Sequence, residues 1–293
     1  MSADEHLLLV IPPPPGTSEG ARLIDADPGQ PHLSVLDVAA TRGDGVFETI
    51  SVGAGHPQAL EAHLDRFARS ARMLDLPTPD RELWRTAVQT LAARLADHEE
   101  AWVKTVLTRG IEGHVEPTGW AYGTVSPAFH RERTEGVDVV LLDRGLRSDV
   151  ATTSPWLLAG AKSLSYAVNR AAAREAQRRG ADDVVFVSSD GLLLEGPTST
   201  LVVRAGDTLR TPPDALGILP GTTQVDLFAA AHQGGLPTAV EPLRPADLVD
   251  ADAAWLVSSV RHAAPIRSVD GVPRAVDAPM TAAMNGFLRA RRT

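Results

Sequence analysis

The sequence predicts an α+β protein in two parts, and three observations carry that prediction. Its strand-like runs mostly fall into hairpin pairs, and helical runs are interspersed without regular βαβ alternation. The pattern changes across a polar, interrupted stretch at 124–136, TVSPAFHRERTEG. With 293 residues, 43% of them hydrophobic, the chain has material for one large domain or two moderate ones. We therefore expect a smaller N-terminal α/β domain at 1–124, an interdomain linker at 125–136 and a larger C-terminal domain at 137–293.

The elements follow in order. Pro12 to Pro15 reads as a stiff extended piece, a loop between early strands. GVFETISV, 45–52, has the β-branched and aromatic content of a strand. In QALEAHLDRFARSARMLDLP, Leu60, Leu64, Phe67, Ala71 and Leu74 recur at three- and four-residue spacing, an amphipathic helix. Leu83, Trp84, Ala87, Leu91 and Leu95 mark a second helix, and AWVKTVLTRG, 101–110, a strand ending at Gly110. His114 and Trp120 are expected in the loop that follows. After the linker, VDVVLL is a buried strand, and AGAKSLSYAVNRAAAREAQRRG a helix closed by Gly180. DDVVFVSS and LLLEG flank Asp190-Gly191, the signature of a type I′ hairpin, and a second hairpin turns at Ala205-Gly206-Asp207. GILPGTTQVDLFAAAHQGG is a loop entering a helix, AWLVSSV a late strand, and AAMNGFLRARR a C-terminal helix.

Composition narrows the partners. Net charge is −9 and no block of like charge stands out, which argues against nucleic acid. Absence of cysteine excludes disulfides, Fe–S clusters and thiolate zinc sites. The histidines are scattered, with no HxxxH or HExxH pair, so no metal is expected. The opening MSADEHLLLVIPPPP carries acids where a secretory signal has basic residues, and no run approaches the ~20 apolar residues of a membrane span. A cytoplasmic protein with a small-molecule substrate is expected.

Lysine occurs only at 104 and 162, so 26 of the 28 basic residues are arginine. An ammonium, unlike a guanidinium, can lose its proton and become a nucleophilic amine. Lys162 is therefore either the amine of a Schiff-base site or one of two survivors of an arginine-biased composition. A Schiff-base lysine holding pyridoxal phosphate needs an acid beside the pyridine nitrogen and an anion site for the phosphate. Glu195 in LLLEGPTST offers the first, and GILPGTTQ, with Gly221 and two hydroxyls at a helix start, the second.

The ordered motifs K-S-L-S-Y, E-G-x-x-S-T and I-L-P-G-T-T, following RGDGVFET at 42–49, resemble the fold-type IV pyridoxal-phosphate enzymes. This class IV aminotransferase family includes branched-chain and D-amino-acid aminotransferases and 4-amino-4-deoxychorismate lyases. The resemblance implies a two-domain, D-amino-acid aminotransferase-like fold with the cofactor between the domains, and a homodimer. It implies that Lys162 bonds the cofactor and shuttles the proton, and that Glu195 pairs with the pyridine nitrogen. Arg66, in HLDRFARSARML, would bind phosphate with Gly221, Thr222, Thr223 and Ser259. Tyr166, one helical turn past the lysine, would lie near the ring oxygen, Leu219 would pack on the ring face, and Thr198 and Ser199 would line its edge. Two departures are Thr200 where many relatives have Asn, and Thr223-Gln224 where many have Thr-Arg.

The segment 162–191, with LEGPTST, most resembles sequences assigned as aminodeoxychorismate lyase. The expected reaction is conversion of 4-amino-4-deoxychorismate to 4-aminobenzoate and pyruvate in folate precursor synthesis. The alternative is an aminotransferase of D-amino or branched-chain amino acids with 2-oxoglutarate. Lys104 and Arg109 are candidates for a substrate carboxylate, with Phe47 as an apolar wall. A cofactor-free Schiff-base lyase and a noncatalytic binding protein are the remaining classes. A P-loop is excluded because GILPGTTQ lacks its lysine.

Overall fold

A computed structural model describes residues 5–12 and 20–291. The expected extended piece at Pro13–Pro15 lies outside the described residues. The chain divides into two compact units: Met1–Pro127, Ala161–Tyr166 and Ala290–Thr293 form one, Ala128–Gly160 and Ala167–Arg289 the other.

The first unit contains β1 (Glu5–Ile11), β2 (Arg22–Ala26), α1 (Val38–Arg42), β3 (Gly45–Gly53), β4 (His56–Pro57), α2 (Leu60–Met73), α3 (Arg81–Arg94), β5 (Glu100–Thr108) and β6 (Thr118–Val125). Among the described residues its sheet runs β2-β1-β6-β5-β3-β4. Because side chains alternate across a strand, Val46, Glu48, Ile50 and Val52 share one face of β3 and are all buried. Helices α2 and α3 pack on the sheet, and Phe67 meets Trp84 edge to face at 5.1 Å. The other face carries Phe47, Thr49, Lys104 and Tyr122, as the pairs Thr49–Lys104 and Lys104–Tyr122 require. Trp120 is not in a loop. It lies on β6, opposite Val106 of β5 and Leu9 of β1, because ladders on both sides hold a segment whose two glycines hid its strand character.

The second unit contains α4 (His130–Thr134), β7 (Val137–Asp143), α5 (Val150–Thr153), α6 (Ala167–Arg178), β8 (Asp183–Val187), β9 (Thr200–Ala205), β10 (Thr208–Thr211), α7 (Thr222–Gln233), β11 (Thr238–Val240), α8 (Pro245–Val249), β12 (Ala253–Ser258), β13 (His262–Val269), β14 (Val272–Pro273) and α9 (Ala278–Ala290). Its main sheet runs β11-β10-β9-β12-β13-β7-β8. The core includes Trp255, fully buried, whose indole N–H donates to Thr281 Oγ1 at 2.8 Å. The stretch expected as a linker includes the short helix α4, whose buried Arg133 donates to the carbonyls of Val260 and Arg261, both at 2.9 Å.

Two local expectations are corrected. The helix expected over 159–180 begins only at Ala167, and Lys162 to Tyr166 is not helical. The reason is a competing pairing. Phe47 N–H donates to Lys162 O at 3.1 Å and Leu164 N–H to Gly45 O at 2.8 Å, so the segment pairs with the edge of β3. At 188–192 the turn is not type I′, because Gly191 has φ 89° while Asp190 is not among the positive-φ residues. Ser188 N–H instead donates to Leu192 O at 2.8 Å across a three-residue loop ending in a left-handed glycine.

Candidate active site

Lys162 is held through its backbone from two sides. Its N–H donates to Ser70 Oγ at 3.1 Å, and its carbonyl accepts from Phe47. Ser70 is fully buried on α2, so the lysine is anchored to both a helix and a strand of its own unit. The ammonium lies 4.4 Å from the Phe47 ring centroid. Tyr166 meets the same ring edge to face at 5.7 Å. On the open face of the sheet, Lys104 places its ammonium 5.8 Å from the Phe47 centroid and 5.4 Å from that of Trp102. Three of the expected residues, Lys162, Tyr166 and Lys104, are thus gathered around the ring of a fourth, Phe47.

Beneath Phe47, on the core face, lies a cluster that the sequence reading missed. Glu48 and His63 are each 1% exposed and Arg66 9%. Arg66 donates from Nε to Glu48 Oε1 at 2.7 Å and from Nη2 to Oε2 at 2.8 Å. His63 Nδ1 sits 2.7 Å from Glu48 Oε2. Burial alone would raise the Glu48 carboxyl, but Arg66 and His63 more than offset it and hold the group far below the usual carboxylate range. Burial pushes His63 down, reinforced by Arg66 and Lys162 against the pull of Glu48. A neutral His63 donating Nδ1–H to an ionised Glu48 accounts for the short contact between them. The signal was present in the sequence: Glu48 has the same strand phase as Val46, Ile50 and Val52. A carboxylate in that phase needs buried partners, and His63, Arg66 and Ser70 lie at three- and four-residue steps on the next helix.

Arg109 is a correction. It was expected to bind a substrate carboxylate, but its guanidinium is committed to the chain. Nε and Nη2 donate to Asp44 at 2.6 and 3.2 Å, Nη2 to Leu74 O at 2.6 Å and Nη1 to Asp75 O at 3.2 Å. It ties the end of β5 to the end of α2. His114 is exposed in the turn after β5.

In the second unit, Glu195 Oε1 accepts from the Leu219 N–H at 3.1 Å, so the carboxylate and the loop before α7 are brought together. Gly221 is the N-cap of α7 and gives it no side-chain cap, and a helix start of this kind suits an anion. Thr222 and Thr223 are buried there, and Thr223 Oγ1 lies 3.5 Å from Ser259 Oγ. A Cβ at Gly221 would overlap Thr200 Oγ1, which requires glycine at this turn. Ser199 is buried and accepts from Arg261 at 3.3 Å, while Arg261 pairs with Asp183 at 2.8 Å. Asn169 holds the Pro197 carbonyl at 2.6 Å. Thr198 is exposed, and no contact of its side chain supports the role expected for it.

Within the second unit, a carboxylate near a helix start with three hydroxyls matches the donors that the ring nitrogen and phosphate of a phosphorylated pyridine take. Within the first, Lys162 supplies an amine of the kind that bonds an aldehyde. Among the described residues no group of three or more His, Asp or Glu could hold a metal ion, and no helix is long and apolar enough to cross a membrane.

A family model described as amino-transferase class IV matches residues 45–269. A bifunctional aminodeoxychorismate lyase / D-amino acid transaminase of Mycobacterium tuberculosis is 47% identical over 256 residues, covering 83% of this chain and 88% of that one. A fold IV transaminase from Curtobacterium pusillum superposes with a TM-score of 0.93 at 53% identity, over 98% of this chain and 99% of that one. The PLP-bound form of a hypothetical aminotransferase from Mycobacterium tuberculosis superposes at 0.88 with 42% identity, over 96% and 99%.

Proposed function

Because this chain belongs to the class IV amino-transferase family and has the fold-type IV architecture, we propose that it is a pyridoxal-phosphate enzyme releasing pyruvate from 4-amino-4-deoxychorismate. The observation that carries the reading is the setting of Lys162. Its backbone is pinned at both N–H and C=O, and its amine lies against the Phe47 ring.

In this reading Lys162 would hold the cofactor through its aldehyde carbon, and Glu195 would pair with the ring nitrogen. The amides and hydroxyls of Thr222 and Thr223 would hold the phosphate with Gly221, Ser259 and Arg66, although Arg66 already gives Nε and Nη2 to Glu48. Leu219, Thr198 and Ser199 are the ring-contact candidates, and Tyr166 serves the ring oxygen. The bound cofactor supplies an electron sink for the charge left when a proton is removed beside the substrate amine. Displaced from the aldehyde carbon by the substrate amine, Lys162 Nζ would be free to take that proton from the substrate's ring C4. The C3–O bond breaks, enolpyruvate leaves and is protonated to pyruvate, and the ring becomes 4-aminobenzoate. Phe47 walls the site on its own unit and limits access of water to the amine.

A second reading, transamination of D-amino acids, is supported by the names of two relatives: one joins both activities, the other is a transaminase. One experiment separates these readings. The purified protein should be yellow, with a band that borohydride abolishes and that Lys162→Ala lacks. It should release pyruvate from aminodeoxychorismate with no 2-oxo acid added. A yellow protein that fails this test but moves amino groups from D-alanine to 2-oxoglutarate is a transaminase. A colourless one that pyridoxal phosphate cannot reconstitute is neither.

A further inference from the structure

Asp183, Arg261 and Ser199 form a chain of contacts inside the second unit. Arg261 stands in the tight connection between β12 and β13, two residues after Ser259, where Ser258 pairs with His262. Its Nη1 meets Asp183 Oδ2 at 2.8 Å, at the first residue of β8. Its Nη2 donates to Ser199 Oγ at 3.3 Å, just before β9. Ser199 is 5% exposed and the Arg261 side chain 15%.

Two donors in this chain are left over. A guanidinium only donates, so Ser199 Oγ is the acceptor in their contact and its own O–H must point elsewhere. Among the described residues nothing accepts that proton. Arg261 Nε is buried and has no partner among them either. An unmade buried donor costs free energy, and more so on a charged group. Asp183 takes one edge of the guanidinium and fixes its orientation. A charged donor beside a hydroxyl that it polarises is a pair suited to an anion.

The surroundings indicate which anion. Thr200, the residue after Ser199, borders the start of α7, since a Cβ on Gly221 would come within 2.2 Å of Thr200 Oγ1. Ser259, on the same connection as Arg261, has its hydroxyl 3.5 Å from Thr223 Oγ1 in the first turn of that helix. Both ends of the Arg261–Ser199 contact thus adjoin, in sequence, residues that touch the helix start suited to a phosphate. A phosphate monoester carries about −1.5 to −2 charge at neutral pH. Yet neither the loop 217–221 nor the first turn at 222–225 contains a base, and Arg66 of the first unit already gives two donors to Glu48.

We propose that Arg261 is a positioning residue of the cofactor site: held by Asp183, it makes Ser199 an obligate hydroxyl donor to the cofactor phosphate. The phosphate charge is then balanced from the connection between β12 and β13 instead of by a base on α7, and Ser199 serves the phosphate end instead of the ring edge. This rests on the reading that the second unit holds a phosphorylated pyridine.

The test measures the affinity of the full chain, freed of cofactor, for pyridoxal 5′-phosphate and for pyridoxal, the same ring without the phosphate. Arg261→Met should weaken pyridoxal phosphate about tenfold or more and change pyridoxal less than about twofold. Arg261→Lys, which keeps the charge, should recover part of the loss. Ser199→Ala should lose in the same direction, and the double variant should fall no more than about twofold below Arg261→Met, because one residue acts through the other. Equal losses on both probes, unchanged affinity for pyridoxal phosphate, or single losses that simply multiply in the double variant overturn the proposal. If Arg261→Met does not fold, Ser199→Ala carries the same comparison: a loss confined to pyridoxal phosphate supports the proposal and an equal loss on both probes ends it. A yellow, borohydride-sensitive protein whose Arg261→Met variant binds both probes as the parent does refutes only Arg261. A parent chain that binds neither probe refutes the cofactor reading itself.

Discussion

Arg66 grips Glu48 at two points, Nε to Oε1 at 2.7 Å and Nη2 to Oε2 at 2.8 Å, with both side chains buried directly behind the ring-bearing face of β3. Fork-on-fork geometry fixes the plane of the guanidinium, so strand and helix are registered against each other by one ion pair. Glu48 follows Phe47 in sequence. The ring that both lysines share is therefore set on one side by packing and on the other by this clamp.

Removing one partner of such a pair leaves a buried charge. Glu48→Ala should destabilise the protein by about 3–5 kcal/mol. Urea unfolding checks this, and a loss below about 1 kcal/mol would mean that the pair is more exposed to water than its geometry implies.

Acid should weaken the fold in two stages. His63 is held below its ordinary value of 6.5, so the folded state refuses a proton that the unfolded chain binds. Its contribution is complete above pH 6.5 and lost as pH falls below it. Glu48 is held far below 4.5, so its contribution is complete above that value and declines beneath it. Melting temperature followed from pH 8 to about pH 2.5 should show both stages, and His63→Gln should remove the upper one. An identical profile for the variant between pH 7 and 5.5 would clear His63 of this role.

Ser70 acts only through the backbone of Lys162, as a positioning residue. Ser70→Ala should lower kcat about tenfold with little change in KM, since misplacing a reacting group by a fraction of an ångström costs rate. The pH at which the visible band changes should move with it, which a purely structural loss would not produce. Ser70→Thr should restore part of both, and a variant that alters only the unfolding midpoint would reduce Ser70 to packing.

Gly221→Ala should weaken pyridoxal phosphate binding and cost about 1–3 kcal/mol, because the new methyl would overlap Thr200 Oγ1. The backbone there has φ −79°, so the penalty is crowding and not conformation. Thr200→Ala in the same chain should recover part of the loss. Undiminished cofactor affinity in the single variant would remove this turn from the phosphate site.

Much of the fold was legible because burial writes a period into the chain. The alternation in GVFETISV matches β3, and the spacing from Leu60 to Leu74 matches α2 and its C-cap. The loop entering α7 was equally plain, since Gly221 precedes two hydroxyls and an apolar helix. The missed strand β6 has glycines at 119 and 123, which carry no pattern of their own; Cβ atoms there would press on Trp84 and Leu95. Helix α6 was drawn too long at its start because alanine and serine suit a helix locally. What ended it at Ala167 was a pairing with residues more than a hundred positions away.

The sequence by itself determined which chemistry was within reach: one amine in KSLSYAVN, one carboxylate in LLLEG, a glycine and two hydroxyls at a helix entrance, and a second lysine on a strand. Only the tertiary structure decided which of those groups are already engaged. It committed Arg109 to Asp44 and two carbonyls, coupled Arg66 to Glu48, and brought both lysines to the ring of Phe47. The reason is physical. Residue type sets what a side chain can donate or accept, but a buried polar group takes the nearest partner that the fold supplies, and that partner has no fixed distance along the chain.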